Sequence, residues 1–355
     1  MLKILFAPLQ GYTTGIYRKA HAEIFGGVDA YYAPFLRIEN GKPREKDLRD
    51  LNALEGDARE RNARKGKARE IPQIIANSVE EFKILANTLI TKGYTEIDFN
   101  MGCPFPMQVN RHRGAGLLSD AQAVQKIMDE IRKISNANGT APTIVKGTAP
   151  VKFSVKMRLG QDTPDEAFAL LPILNETPLT QITLHPRLGK QQYKGAIDFK
   201  SFEKFYEECH HPLVYNGDIT SVSQICEMEH KYSKLTGVMI GRGMLAKPSL
   251  AAEYKGLSDI NSAASQDFLG KLFQMHQVIF DHACKTYQGD SQILSHVQSF
   301  WEYLEPSIHK KIFKKIKKAG KLNEYQAAII EITSQSSLKT VILEHSDRIH
   351  NFSND

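Results

Sequence analysis

Residues 153–160 read FSVKMRLG. In an extended chain successive side chains point to opposite faces, so Val155 and Met157 share one face and Ser154, Lys156 and Arg158 the other. Two further stretches follow the same rule. In EIDFNMG at 96–102, Ile97, Phe99 and Met101 oppose Asp98, Asn100 and Gly102. In QITLHPR at 181–187, Ile182 and Leu184 oppose Thr183, His185 and Arg187. Each apolar set is expected to face a covering layer of helices. That leaves Asn100, Lys156, Arg158, His185 and Arg187 pointing inward at the C-terminal ends of adjacent strands, with Gln73 and Asn216 fitting the pattern less regularly.

Working outward, the same kind of short apolar run recurs at 3–9, 29–35, 71–77, 212–218 and 237–243. Amphipathic segments at 79–89, 121–134, 165–174 and 199–208 lie between the runs. Strands alternating with helices predict a parallel sheet. Eight such units in roughly 250 residues predict a closed (β/α)8 TIM barrel. A doubly wound open sheet would place a GxGxxG turn after the first strand, and the chain has none there. After the last strand the pattern turns helical, at 268–280, 291–303, 306–319, 324–333 and 336–345. The expected fold is α/β: a TIM barrel at 1–253 followed by a C-terminal all-helical domain at 254–355.

Composition narrows the function classes. Of the 355 residues 41% are hydrophobic and 24% charged, a globular balance. No apolar run is long enough to cross a membrane, and the opening MLKILFAPLQG is read as a strand, not an export signal. Cys103, Cys209, Cys226 and Cys284 are scattered without a CxxC pair, which fits a reducing cytoplasm rather than a disulfide or zinc scaffold. Cys209-His210-His211 has metal-ligand composition, but it falls at a helix end on the rim opposite the barrel mouth, so no metal is expected. The net charge of +6 permits a polyanionic partner. A monomer is the default.

Three features at the mouth carry chemistry. The last two strands run into Asn216-Gly217-Asp218 and Gly241-Arg242-Gly243, where barrels commonly bind phosphate through backbone N–H groups. Cys103 follows the fourth strand in NMGCP, ahead of the Arg113-Gly114-Ala115-Gly116 loop. A thiol there could act as nucleophile or as general acid. Further on, IHKKIFKKIKKAGK at 308–321 holds seven lysines and no acid. Ile308, Ile312 and Ile316 mark the packing face of a helix, and the lysines form either a solvated face or a surface for nucleic-acid phosphates. The charged insertion at 42–70, with ten Lys/Arg and seven Asp/Glu, is read as a solvated helix and loop.

Together the motifs APLQG, NMGCP, RGAGLL, VKMRLG, HPR, QYKGAIDF, NGDI and MIGRG, in order over residues 4–250, resemble the tRNA-dihydrouridine synthases. The short SFWEYL at 299–304 is similar to the start of that family's helical domain. The sequence departs from the pattern at Gly11-Tyr12-Thr13-Thr14-Gly15, at His185-Pro186-Arg187, and in long stretches at 42–70 and 136–151. The resemblance implies FMN-dependent reduction of specific transfer-RNA uridines, with NADPH or NADH as reductant. It implies that Pro8, Leu9 and Gln10 border the flavin, that Gln73 and Lys156 hydrogen-bond its ring, and that His185 lies against it. Asn216, Gly217, Asp218, Gly241 and Arg242 would hold the phosphate. Cys103 would donate a proton to C5 of the base while hydride reaches C6 from flavin N5. Asn100, Arg158 and Arg187 would orient the base, and Lys310, Lys311, Lys314 and Lys315 would meet the RNA backbone. The alternative is a flavin barrel acting on a small molecule, like dihydroorotate dehydrogenase or an enoate reductase.

Overall fold

The computed structural model describes residues 1–51, 68–136, 150–257 and 266–334. Most of the charged insertion at 42–70, most of the 136–151 stretch and the helix expected at 336–345 lie outside the described residues. The chain divides into two compact units. The first comprises Met1–Pro8, Asp29–Gly217 and Glu229–Met239, and the second Leu9–Val28, Asp218–Met228 and Ile240–Asp355.

The first unit is the barrel. Its strands are β1 (Lys3–Phe6), β2 (Ala30–Tyr32), β5 (Arg69–Ile71), β6 (Gln73–Ile74), β7 (Glu96–Met101), β8 (Lys152–Gly160), β9 (Leu179–Leu188), β10 (Leu213–Tyr215) and β11 (Leu235–Ile240). They follow the order β5-β2-β1-β11-β10-β9-β8-β7-β6. The two ends of that series, β5 and β6, are separated only by Pro72. They are two halves of one strand: β5 pairs in parallel with β2, and β6 in parallel with β7. Proline has no N–H to give to the ladder, yet its carbonyl still accepts from the Asp98 N–H at 3.0 Å. The eight expected strands are therefore all present, and they close on themselves. The runs at 29–35 and 212–218 are extended for only three residues each, Ala30–Tyr32 and Leu213–Tyr215.

The covering helices form where the pattern placed them. The helix Val79–Thr91 starts at Ser78, whose hydroxyl accepts the Glu81 N–H, and buries Phe82, Leu85, Ala86 and Leu89. Ala121–Asn136 buries Val124, Ile127, Met128, Ile131 and Ile134, a 3–4 spacing that gives one apolar stripe. Phe199–Glu208 is capped by Asp198, which accepts the Ser201 N–H. One element at the entry to the insertion was not expected. β3 (Ile38–Glu39) and β4 (Lys42–Pro43) form an antiparallel hairpin. Its turn residues Asn40 and Gly41 both have positive φ, the conformation a two-residue primed turn requires. The Asn-Gly pair is the sequence signal for it.

The barrel interior is divided. Leu5, Ala7, Ala30, Tyr32, Ile71, Val214 and Met239 form one apolar cluster from β1, β2, β5, β10 and β11 and their flanks. The inward positions of β6 to β9 are instead polar: Gln73, Asp98, Asn100, Ser154, Arg158, Thr183, His185 and Arg187 are all buried.

The second unit is helical. Gly15–Ile24 and Gln266–Thr286 pack together, with Phe25 against Phe268 at 5.9 Å between ring centroids. The run expected as one helix at 291–303 is α-helical over Asp290–Val297 and then tightens to a 3-10 helix over Gln298–Ser307. Three residues per turn align Val297 with Phe300 and Trp301 with Leu304, and all four are buried. Trp301 Nε1 donates to the Tyr325 hydroxyl at 2.8 Å, and His276 Nε2 lies 2.7 Å from the same oxygen. Burial lowers the His276 pKa to about 4. The helix Lys310–Lys318 buries Ile312, Phe313 and Ile316 and leaves Lys310, Lys311, Lys314 and Lys315 exposed. Among the described residues, no helix is long and apolar enough to cross a membrane.

Candidate active site

Strand register places the polar residues in layers. Gln73 pairs with Asp98, and Asp98 with Ser154. One layer nearer the C-terminal end, Asn100 pairs with Lys156 and Lys156 with Thr183. Above these Arg158 pairs with His185. Parallel strands in register bring residues of like parity side by side, so the alternation read within each strand becomes one polar patch across four strands.

Hydrogen bonds then order that patch. Ser154 Oγ donates to Asp98 Oδ1 at 2.6 Å, and Gln73 Nε2 donates to Asp98 Oδ2 at 2.6 Å. Asn100 Nδ2 donates to Gln73 Oε1 at 2.7 Å. Asn100 Oδ1 accepts the backbone N–H groups of Gly102 and Cys103 at 3.0 and 2.9 Å. Asp98 is fully buried, and burial raises its carboxyl to about 6 against the opposing pull of Gln73, Ser154 and Lys156.

Lys156 is partly exposed. Desolvation, joined by the nearby Arg158 charge, lowers its pKa to about 8, while Asp98 and Cys103 work the other way. Its ammonium has no hydrogen-bond acceptor among the described residues, which leaves three donors for a ligand.

Cys103 is 7% exposed and packs with Phe35 and Ile75. Burial raises its thiol above the ordinary value, although the Phe105 N–H and the charges of Arg158, Lys156 and Arg37 oppose the shift. At neutral pH the group is a protonated thiol, able to give a proton rather than attack as a thiolate. Its loop is tightly fitted. Gly114 has φ +61°, and a Cβ there would lie 2.7 Å from the Cys103 carbonyl oxygen and 2.8 Å from its Cβ.

The two arginines are largely engaged by backbone. Arg158 Nε donates to the Gly102 carbonyl at 3.0 Å and Nη1 to the Leu188 carbonyl at 2.8 Å, with its guanidinium 5.6 Å from the Tyr193 ring centroid. Arg187 donates from Nε and Nη2 to the Gly195 carbonyl and places Nη1 3.4 Å from His185 Nε2. Asn216 continues from β10, donating its backbone N–H to the Leu184 carbonyl and its side-chain amide to the Met239 carbonyl.

The first unit thus brings Gln73, Asn100, Cys103, Lys156, Arg158, His185, Arg187 and Asn216 to one end of the barrel; Pro8 follows β1 and Gly217 follows Asn216. Leu9, Gln10, Asp218, Gly241 and Arg242 belong to the second unit. There the Leu9 carbonyl accepts the N–H groups of Tyr12 and Thr13, and Arg242 pairs with Asp218 at 2.8 Å. Asp98 and Ser154 were not singled out in the sequence, although the period-2 rule that found Asn100 and Lys156 points equally to both of them. The buried Arg113 bound to Glu81 behind the Cys103 loop had no local signal.

The family model described as dihydrouridine synthase matches residues 5–341. The chain belongs to the dihydrouridine synthase family. Among the curated relatives of this family member, a probable tRNA-dihydrouridine synthase of Rickettsia bellii is 31% identical over 44% of each chain. One from Helicobacter pylori is 33% identical over 43% of this chain and 42% of its own length. A tRNA-dihydrouridine(16) synthase of Neisseria meningitidis is 25% identical over 75% of each. The chain thus spans less than half the length of the first two. The solved structure of morphinone reductase covers 75% of this chain and 88% of its own, at 11% identity and a TM-score of 0.49.

Proposed function

We propose that this protein reduces uridine to 5,6-dihydrouridine in transfer RNA, as an FMN-dependent oxidoreductase that takes its electrons from NADPH or NADH. The observation that carries this reading is Cys103. It is a buried, protonated thiol at the C-terminal end of β7, beside the cations Lys156 and Arg158. Saturating the C5–C6 bond of uracil needs a hydride at C6 and a proton at C5. Cys103 gives the proton to C5.

The donor set fits FMN. The amide of Gln73 and the free ammonium of Lys156 suit the polar edge of a flavin ring, and the apolar half of the barrel interior suits its hydrocarbon edge. Bound there, the flavin supplies the hydride. Gln73 and Lys156 would hold its ring, His185 would lie against it and Pro8 would border it. Asn216 and Gly217 would serve its phosphate end. Lys156 would stabilise negative charge on the flavin when it is bound and reduced. Asn100, Arg158 and Arg187 line the approach of a uridine that must leave its stack to reach the barrel mouth. In the helical domain at 254–355, the exposed Lys310, Lys311, Lys314 and Lys315 contact the RNA backbone. The compartment proposed is the cytoplasm, supported by the unpaired cysteines.

The test is nucleoside mass analysis of unmodified transfer RNA incubated with the protein, FMN and NADPH. A gain of two hydrogens at one mapped uridine is the expected result. A yellow protein that oxidises NADPH and leaves every uridine unchanged would move the substrate to a small molecule.

A further inference from the structure

The hydrogen-bond chain behind the site has a fixed direction. A primary amide looks almost the same after a half-turn, so Gln73 and Asn100 could in principle each present N–H or C=O to a neighbour. The two ends of the chain remove that freedom. At one end stand the backbone N–H groups of Gly102 and Cys103, which can only donate. They require Asn100 to turn its oxygen toward them and its nitrogen toward Gln73. At the other end stands the Asp98 carboxylate, which in its ionised form can only accept. It requires Gln73 to turn its nitrogen toward Asp98 and its oxygen toward Asn100. Both ends demand the same arrangement. Ser154 takes the second carboxylate oxygen, so Asp98 is itself held on both sides. A buried chain of this kind is a high-stakes arrangement, because a reversed amide leaves a donor facing a donor in low dielectric.

We propose that Asp98 is a positioning residue that fixes, through Gln73 and Asn100, both the edge of the Gln73 amide offered to the flavin and the placement of the Cys103 backbone. The flavin part rests on the function proposed above; the Cys103 part does not. Asp98 is fully buried, and its carboxylate oxygens are taken by Gln73 and Ser154. With its acceptor in place, Gln73 has one N–H and one lone pair of defined direction left for the ring. Without it, Gln73 is free to reverse, Asn100 loses its partner, and the turn at Gly102 and Cys103 loosens.

Two variants separate hydrogen-bond direction from charge. Asp98→Ala removes the acceptor. Asp98→Asn keeps a carbonyl oxygen for Gln73 and turns its nitrogen toward Ser154, whose hydroxyl can rotate to accept. The readouts are the rate of iodoacetamide labelling of Cys103 in the purified full chain, followed by peptide mass, and the visible spectrum of the bound flavin. Asp98→Ala should label Cys103 at least about threefold faster, shift the flavin band, and lose about tenfold in uridine reduction while retaining NADPH oxidation. Asp98→Asn should return labelling to within about twofold of the parent.

Unchanged labelling in Asp98→Ala overturns the proposal. So does equal damage in both variants, which would assign the effect to the charge. If Asp98→Ala does not fold, as read by circular dichroism, Gln73→Met cuts the same chain one link further on, and labelling no faster than in the parent then overturns the proposal. Labelling needs neither flavin nor RNA. A positive labelling result in a protein that reduces no uridine would therefore reject the function proposed above and leave the role of Asp98 toward Cys103 standing.

Discussion

The side-chain oxygen of Asn100 accepts the backbone N–H of Cys103 at 2.9 Å. The strand that brings Asn100 inward therefore also sets where the thiol stands. The same oxygen takes the Gly102 N–H, so the chain turns away from β7 around this one group. A strand side chain thus shares in placing Cys103, together with the loop at 113–116, whose Ala115 N–H donates to the Cys103 carbonyl at 3.0 Å.

Removing the thiol should separate the two halves of the reaction. Cys103→Ala is expected to keep its flavin and its NADPH oxidation and to lose uridine reduction by about 100-fold or more, the range for a general acid. Stopped-flow flavin reduction and mass analysis of the RNA product measure the two halves. Loss of flavin from the variant would make the thiol a structural group.

The loop behind the thiol should not accept a side chain. Gly114→Ala places a Cβ 2.7 Å from the Cys103 carbonyl oxygen at a residue with φ +61°. A drop of a few degrees in Tm and a loss of turnover larger than the loss of RNA binding are expected. A variant with the parent's turnover would show that the loop relaxes freely.

Asp98 should leave a mark on the pH dependence of stability. Its folded-state pKa is raised to about 6, above an unfolded value of about 3.9. Between these values the folded protein binds more protons than the unfolded chain, so this residue makes stability fall as pH rises from about 4 to 6. Relative to Asp98→Asn, the parent should lose about 2 kcal/mol across that window. Urea denaturation of both proteins at pH 4, 5, 6 and 7 measures the difference. Parallel curves would mean that Asp98 titrates normally.

Reversing the charge of Lys310, Lys311, Lys314 and Lys315 should weaken RNA binding without unfolding the helix. Its packing residues Ile312, Phe313 and Ile316 are untouched, and the Lys315–Glu331 pair is exposed and contributes little. Replacing all four by Glu should raise KM for RNA at least about tenfold and flatten the slope of log affinity against log salt. Anisotropy titrations of labelled transfer RNA at several KCl concentrations test this. An unchanged slope would mean that the RNA lies elsewhere.

In the helical unit, Tyr325→Phe removes an oxygen shared by Trp301 and His276, and so strands Trp301 Nε1 and His276 Nε2 in a buried site. A loss of about 1–3 kcal/mol is expected by thermal or urea denaturation. A neutral result would indicate that water replaces the hydroxyl.

The sequence by itself determined the barrel's eight strands, their covering helices and the inward residues Asn100, Lys156, Arg158, His185 and Arg187. All of these follow from periods of 2 and 3.6, which act over a few residues and are written directly in the order of side chains. The Asn40-Gly41 hairpin was written there too, as a local turn signal. Only the tertiary structure decided that the strand around Pro72 closes the barrel by pairing with β2 on one side and β7 on the other. It alone decided that the interior splits into an apolar and a polar half, and that Leu9–Val28 and Asp218–Met228 join the C-terminal unit. It also decided that Arg158 and Arg187 spend donors on the backbone carbonyls of Gly102, Leu188 and Gly195, and that Asp98 reaches Gln73 across 25 positions of sequence. These are contacts between segments far apart in the chain. Which partner a polar group finds depends on strand register and on who stands opposite, and no local period encodes that.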